Sequence, residues 1–119
     1  MMSPTSAGLF TIEIEPRGHA TIVRLVGSAN MDVSADLKQR LIEVVDSDCQ
    51  RIVIDLSKLV FLSSVALGAV IAAHLRCRHR DCTLRLVSPQ TSVQELLNIT
   101  RLVRVFSVHD SIDEALSAN

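Results

Sequence analysis

The sequence predicts a single-domain α/β fold, with a mostly parallel central sheet, an N-terminal β-hairpin and helices packed on the sheet. The length of 119 residues fits one domain, and a hydrophobic content of 48% is enough for a core. After two adjacent strand patterns, helix and strand patterns alternate to the end of the chain, as in a parallel sheet. Residues 1–9 lack periodicity and are predicted to form a loose tail before a domain at residues 10–119.

The individual elements follow from hydrophobic periodicity and from cap and turn residues. In chain order, we predict strands at 10–15 and 20–26, a helix after 32, a strand at 51–56, a helix from 63–64 to about 80, a strand at 83–87, a helix after 88–89, a strand at 103–108 and a helix after 111. Gly27 is predicted to end the second strand, and Ser57 and Lys58 to form a loop. Asp32 is a predicted N-cap, as is Ser88, which precedes Pro89.

Composition and charge exclude several classes of protein. The net charge is −1 and the chain has three Phe and no Trp or Tyr, so we predict no nucleic-acid binding. The longest apolar run, residues 65–73, is about half of the ~18 residues needed to span a bilayer, so we predict no membrane span. The N-terminus does not resemble a signal peptide, and three sparse cysteines do not form a disulfide framework. These features predict a protein of the reducing cytoplasm.

No enzyme or metal site is predicted. The four glycines form no phosphate-binding loop, and no histidine lies in a context that favours a catalytic triad. His74, Cys77, His79 and Cys82 form a local cluster, but their spacing does not fit a tetrahedral zinc site. We interpret them as packing and surface residues and expect neither zinc nor an essential disulfide.

The helix that begins at Ser63 and Ser64 is the most informative segment. It is apolar almost all round, and in so small a domain one of its faces must lie near solvent. Ser63 is predicted to cap the helix through the Ala66 amide, whereas the Ser64 hydroxyl projects outward and could accept a phosphate. From the residues alone, two capping serines on a core helix are the simpler interpretation.

Residues 52–68, IVIDLSKLVFLSSVALG, resemble the signature of the STAS family, the sulfate transporter and anti-sigma-factor antagonist domain. The family has a V-V-L-D-L strand, a short V-x-F-I/M connection and D-S-S/T-G-L-G at a helix start. Residues 27–30 are similar to its G-x-L-D, and residues 88–89 and 96–102 to its S-P and L-F-x-x-T/S-G-L. The resemblance covers residues 10 to 117 and implies the STAS fold.

The resemblance to bacterial anti-anti-sigma factors also implies a function. In those proteins, an anti-sigma factor that is a serine kinase phosphorylates the first serine of the motif, which corresponds to Ser64. The unphosphorylated form captures the kinase and frees the sigma factor, and a serine phosphatase resets the switch. The nucleotide and Mg²⁺ belong to the kinase, so no cofactor is implied for this chain. The predicted partner-binding residues are Asn30, Asp32, Ser63, Ser64, Val65, Ala66 and Leu67.

The sequence departs from the family motif at four positions. Ser63, Val65 and Ala66 replace Asp, Ser/Thr and Gly, and Asn30 replaces an earlier Asp. Serine caps a helix about as well as aspartate, so the structural role of position 63 is retained while its charge is lost. The Ala66 methyl group is expected to stand where a partner backbone approaches. Asp32 could restore one negative charge.

Two other functions stay open on the sequence. The chain could be an unphosphorylated STAS scaffold or the adaptor of a transport complex, or it could be a ligand-binding or enzymatic STAS-like protein. Homodimerisation also stays open.

Overall fold

The computed structural model describes residues 10–118, which form one five-stranded sheet and four α-helices. The strands lie in the order β1-β2-β3-β4-β5; β1 is antiparallel to β2 and the other neighbours are parallel. The predicted element order and the mostly parallel sheet are therefore confirmed. The elements are β1 Phe10–Arg17, β2 Ala20–Ala29, α1 Ser34–Asp46, β3 Arg51–Leu62, α2 Ser64–Arg78, β4 Thr83–Val87, α3 Thr91–Ile99, β5 Ser107–His109 and α4 Ile112–Ser117. The predicted tail, residues 1–9, lies outside the described residues.

The helices cover the two faces of the sheet unequally. One face, which includes Val23 and Ile54, packs against α1, α2 and α3 in the main core. The other face carries Ile22, Val53 and Val87 and packs against α4 through Ala115. Ile52, Val53 and Ile54 are all fully buried, so the prediction of a strand covered on both faces is confirmed for β3.

Two strands are longer than predicted. β2 continues through Gly27, whose positive φ of 100° accompanies an irregularity in pairing, and β3 continues through Ser57 and Lys58. Between the pairs Arg24–Asp55 and Ala29–Leu62, β2 advances five residues while β3 advances seven. The extra residues of β3 are accommodated as bulges, which twist a strand without ending it. The predicted end at Gly27 and the predicted loop at residues 57–58 are therefore wrong.

The predicted caps are partly confirmed. Ser63 and Ser111 cap α2 and α4 as expected. Asp32 does not cap a helix: it lies inside a short 3-10 turn, Met31–Val33, whose N-cap is Asn30. Ser88 adopts a positive φ of 51° and donates its hydroxyl to the Asp110 carbonyl oxygen at 2.6 Å. Gln90, without a side-chain cap bond, precedes α3 instead.

The last predicted strand, residues 103–108, is also shorter in the structure. Leu102–Arg104 form a 3-10 turn that follows Arg101 in a left-handed conformation, and only Ser107–His109 pair with β4. Val103, Arg104 and Val105 are exposed and Phe106 is buried, so the apolar residues of this segment do not form one buried face of a strand.

Candidate functional site

The start of α2 is fixed by backbone bonds at the carboxyl edge of the parallel strands. The Ser63 amide donates to the Ala29 carbonyl oxygen at 2.8 Å, which joins the end of β2 to the first residue before α2. The Ser63 hydroxyl accepts from the Ala66 amide at 3.0 Å, and the Ser63 carbonyl accepts from Leu67 at 2.8 Å. Ser63 is therefore committed to capping, as the sequence predicted.

Ser64 is the first residue of α2 and is exposed. Within the described part of the chain, its hydroxyl makes no hydrogen bond, so it is available to a partner or an enzyme. The first turn of α2 contains no acidic residue. The free amides and the dipole at this helix end favour a negative charge there.

The 3-10 turn Met31–Val33 contacts α2 and lies beside its start. The Asn30 side-chain oxygen accepts from the Asp32 amide at 3.0 Å and so holds the turn closed. This is a bond that an aspartate at the same position could also make. Asp32 and Met31 are exposed, and Asp32 supplies a negative charge to this edge of the molecule.

Exposed apolar side chains surround the free serine. We define the docking surface as Met31, Asp32, Val60, Phe61, Ser64 and Val65, all exposed and all at this edge. Val65 was among the predicted partner-binding residues. Met31, Val60 and Phe61 were missed, because the 3-10 turn and the bulged end of β3 that expose them were not predicted. The bulges bury Leu59 and Leu62 and leave the two residues between them exposed.

Two of the predicted partner-binding residues lie beneath this surface. Ala66 is 0% and Leu67 is 3% exposed, and both belong to the main core. The Ala66 methyl group therefore faces the interior, contrary to the expectation that it meets a partner. A helix whose apolar residues run almost all round does not reveal from sequence which of its faces is buried.

α3 supports the bulged end of β3. The Gln90 side-chain amide donates to the Ser57 carbonyl oxygen at 2.7 Å, and the Ser92 hydroxyl donates to the Val60 carbonyl oxygen at 2.9 Å. These two carbonyl oxygens lie where the pairing of β2 with β3 is irregular. The side chains therefore donate hydrogen bonds that a neighbouring strand would otherwise supply. The backbone that presents Val60 and Phe61 is thereby fixed.

The four His and Cys residues that are close in sequence are only partly close in space. The sulfur atoms of Cys77 and Cys82 lie 3.4 Å apart, whereas the His74 ring packs at a tilt of 57° against Phe106 with centroids 5.0 Å apart and His79 is exposed. Among residues 10–118, no three His, Cys, Asp or Glu side chains are arranged to hold a metal ion. None of the helices formed by these residues is long and apolar enough to cross a membrane.

Comparison with known proteins identifies the family of this chain. The STAS domain pattern matches residues 11–115. The anti-sigma-F factor antagonist RsfA of Mycobacterium tuberculosis is 27% identical over 128 aligned positions, which cover 98% of this chain and 99% of the relative. An anti-sigma factor antagonist from Mycobacterium paratuberculosis is 25% identical, and its crystal structure superposes with a TM-score of 0.83 over 91% of this chain and 92% of that one. Unphosphorylated SpoIIAA, also an anti-sigma factor antagonist, is 15% identical and has a TM-score of 0.79 over 89% and 93% of the two chains. The chain belongs to the STAS domain family.

Proposed function

We propose that this protein is an anti-sigma factor antagonist that binds an anti-sigma factor through the docking surface. The observation that carries the proposal is the free, exposed Ser64 hydroxyl within a group of exposed apolar side chains. An exposed apolar group of this kind is typical of an interaction site. The names of the relatives support the kind of partner. The protein acts by binding, without a catalytic step of its own, and in the cytoplasm.

Phosphorylation of Ser64 by the anti-sigma factor, acting as a serine kinase, is the proposed control. A phosphate adds about −1.5 to −2 charges at neutral pH. At the first residue of α2 this charge meets the positive end of the helix dipole, so the fold tolerates it. Against an apolar partner surface the same charge is desolvated without a counter-charge, which costs several kcal/mol. The phosphate therefore releases the partner, and a serine phosphatase restores binding.

The departures from the family motif are compatible with this function. Ser63 keeps the helix cap, Asn30 keeps the turn closed, and the methyl group of Ala66 is buried. Val65 replaces a hydroxyl by an exposed apolar side chain, which adds to the docking surface. The loss of two acidic side chains changes the charge at the rim, where charges chiefly set association rate and partner choice. We therefore expect the partner kinase to place fewer basic side chains at this site than a kinase that binds the full family motif.

Calorimetric titration against the anti-sigma factor of the same organism tests the proposal. Wild type and Ser64→Ala are expected to bind equally, and Ser64→Glu to bind at least about tenfold more weakly, which corresponds to about 1.4 kcal/mol. Ser107→Glu, which adds the same charge at an exposed position in β5, beside the cavity at the far end of α2, is the matched control and should bind as wild type. If Ser64→Glu binds as tightly as wild type, phosphate control is wrong. If wild type does not bind at all, the scaffold function replaces the antagonist function.

A further inference from the structure

All three cysteines converge at the edge of the sheet opposite the docking surface. Cys77 lies in the last turn of α2, Cys82 directly precedes β4, and Cys49 precedes β3. The Cys82 amide donates to the Cys77 carbonyl oxygen at 3.2 Å, which closes a loop of six residues and brings the two sulfur atoms to 3.4 Å. A disulfide bond is about 2.05 Å long, so the two sulfur atoms must approach each other by about 1.4 Å to form one.

The two thiols interact as a donor and an acceptor. In the neutral pair the Cys77 thiol donates to the Cys82 sulfur, and once Cys77 is deprotonated the Cys82 thiol donates to it; this hydrogen bond lowers the pKa of Cys77, although burial opposes the effect. The same bond, followed by burial, raises the pKa of Cys82. The thiolate is the form of cysteine that attacks an oxidant, so this hydrogen bond favours the reactive form of the pair.

A small cavity gives access to the pair. Cys77 is 1% and Cys82 is 6% exposed, so neither can meet a bulky reagent at the surface. Cys82, however, lines a cavity of about 180 Å³ together with His74, Arg78 and Val105. One water molecule occupies about 30 Å³ in the liquid, so hydrogen peroxide fits this cavity whereas a glutathione-sized disulfide does not.

We infer that Cys77 and Cys82 are a modification site at which a small hydroperoxide forms an intramolecular disulfide. The thiolate of one cysteine of the pair attacks one peroxide oxygen, the O–O bond breaks, and the leaving oxygen takes a proton, which leaves a sulfenic acid on that cysteine. The sulfur of the other cysteine then attacks the sulfenic sulfur, and the S–O bond breaks as water leaves with the proton of the attacking thiol. In total, two thiols lose two electrons and two protons, and the hydroperoxide is reduced to water and an alcohol, or to two waters if it is hydrogen peroxide.

This disulfide is distinct from the control proposed at Ser64. It joins the end of α2 to the start of β4, while Ser64 lies at the other end of the helix. Cys49 lines a separate, wider groove beside Arg17, Arg51 and Arg80, and its thiol donates to the Val44 carbonyl oxygen at 3.5 Å. Because burial raises the pKa of the Cys49 thiol, it is the poorer nucleophile despite its greater exposure.

Peptide mapping of the full chain tests this inference without any variant. Reduced protein is treated with hydrogen peroxide, its remaining thiols are alkylated, and it is cleaved with trypsin after Arg76, Arg78, Arg80 and Arg85. The expected product is the peptide Cys77–Arg78 linked to Asp81–Arg85, with Cys49 alkylated. Before alkylation, the intact oxidised chain should be lighter than the reduced chain by two hydrogen atoms. Dithiothreitol should reverse the linkage, and oxidised glutathione should add no mixed disulfide at either residue.

Single substitutions identify the pair independently. Cys49→Ser should retain the linked peptides, whereas Cys77→Ser and Cys82→Ser should abolish them. The inference is overturned if Cys49 is part of the linkage, if peroxide only adds oxygen atoms to the sulfurs, or if all three thiols of treated wild type remain open to alkylation.

Discussion

At the scale of single residues, two neighbouring serines have different roles. Ser63 has its hydroxyl bonded to the Ala66 amide and its amide bonded to the Ala29 carbonyl oxygen, so it belongs to the fold. Ser64 is exposed and, among the described residues, makes no side-chain bond. A stability measurement should therefore separate the two positions.

We expect Ser63→Ala to reduce the free energy of unfolding by about 1 kcal/mol, because it removes the N-cap bond of α2. Ser64→Ala should change it by less than about 0.5 kcal/mol, since alanine is the better helix former and no bond is lost. Urea unfolding of both variants measures the difference. Ser63→Asp, which retains a cap oxygen, is the control and should remain within about 0.5 kcal/mol of wild type. Equal losses at positions 63 and 64 would contradict the assignment of the cap.

The sequence predicted these residues to different extents. The Ser63 cap follows from local rules, because a hydroxyl before an apolar helical run has few alternatives. Exposure of Val60 and Phe61 could not be predicted, since it depends on bulges that reverse the facing of side chains relative to β2. Asp32 was predicted to cap the helix that follows it, but Asn30, two residues earlier, caps the 3-10 turn that contains Asp32, and α1 begins without a side-chain cap.

At the scale of elements, α2 packs into the core on one side and is exposed to solvent on the other. Its buried side packs against α1 and the sheet, and the Arg76 guanidinium donates two bonds, of 2.7 and 2.8 Å, to the Asp46 carboxylate at the end of α1. This pair lowers the pKa of Asp46. The exposed side includes Val65 near the start and Leu75 near the end, which are 50% and 49% exposed. The two positions form a matched pair for mapping an interface.

Val65→Glu should weaken binding of the anti-sigma factor at least about tenfold, because it places a charge inside an apolar contact. Leu75→Glu makes the same change at equal exposure but at the far end of the helix, so it should bind as wild type. Calorimetric titration measures the affinities, and thermal unfolding verifies that both variants fold. If the Leu75 variant loses binding and the Val65 variant does not, the anti-sigma factor binds near the end of α2 and the proposed docking surface is wrong.

Element types were predicted more reliably than element ends. Each strand and helix pattern corresponds to an observed element, because periodicity reflects the burial of one face or two. The ends of β2 and β3 were wrong because Gly27 and the polar pair Ser57 and Lys58 are signals of a turn that tertiary pairing overrides. The start of α3 was wrong because Ser88 bonds the Asp110 carbonyl and not the helix.

At the scale of the whole molecule, protonation of one partly buried histidine should control stability near neutral pH. Burial of the His74 ring, followed by repulsion from Arg78, lowers its pKa below the ordinary histidine value of about 6.5. The unfolded chain then binds the proton more tightly than the folded chain, so acidification favours unfolding. Stability is complete above the ordinary value and is lost as pH falls through it toward the folded pKa.

We therefore expect the free energy of unfolding to decrease between about pH 7 and about pH 5.5, above the range in which carboxylates titrate. His74→Gln should flatten this decrease, whereas His79→Gln, at an exposed position beyond the end of α2, should leave it unchanged. Urea unfolding at several pH values measures the slope. An identical slope in wild type and His74→Gln would show that another group is responsible.

The site of phosphate transfer tests the central claim most directly. The protein is incubated with the anti-sigma factor of its own organism and Mg-ATP, and its intact mass is measured before and after. Trypsin cleaves after Lys58 and Arg76, so one peptide contains both serines, and its fragmentation distinguishes Ser63 from Ser64. The account predicts one added phosphoryl group, located on Ser64 and absent from Ser64→Ala. A phosphoryl group on Ser63, or none on a chain that binds the kinase, would contradict it.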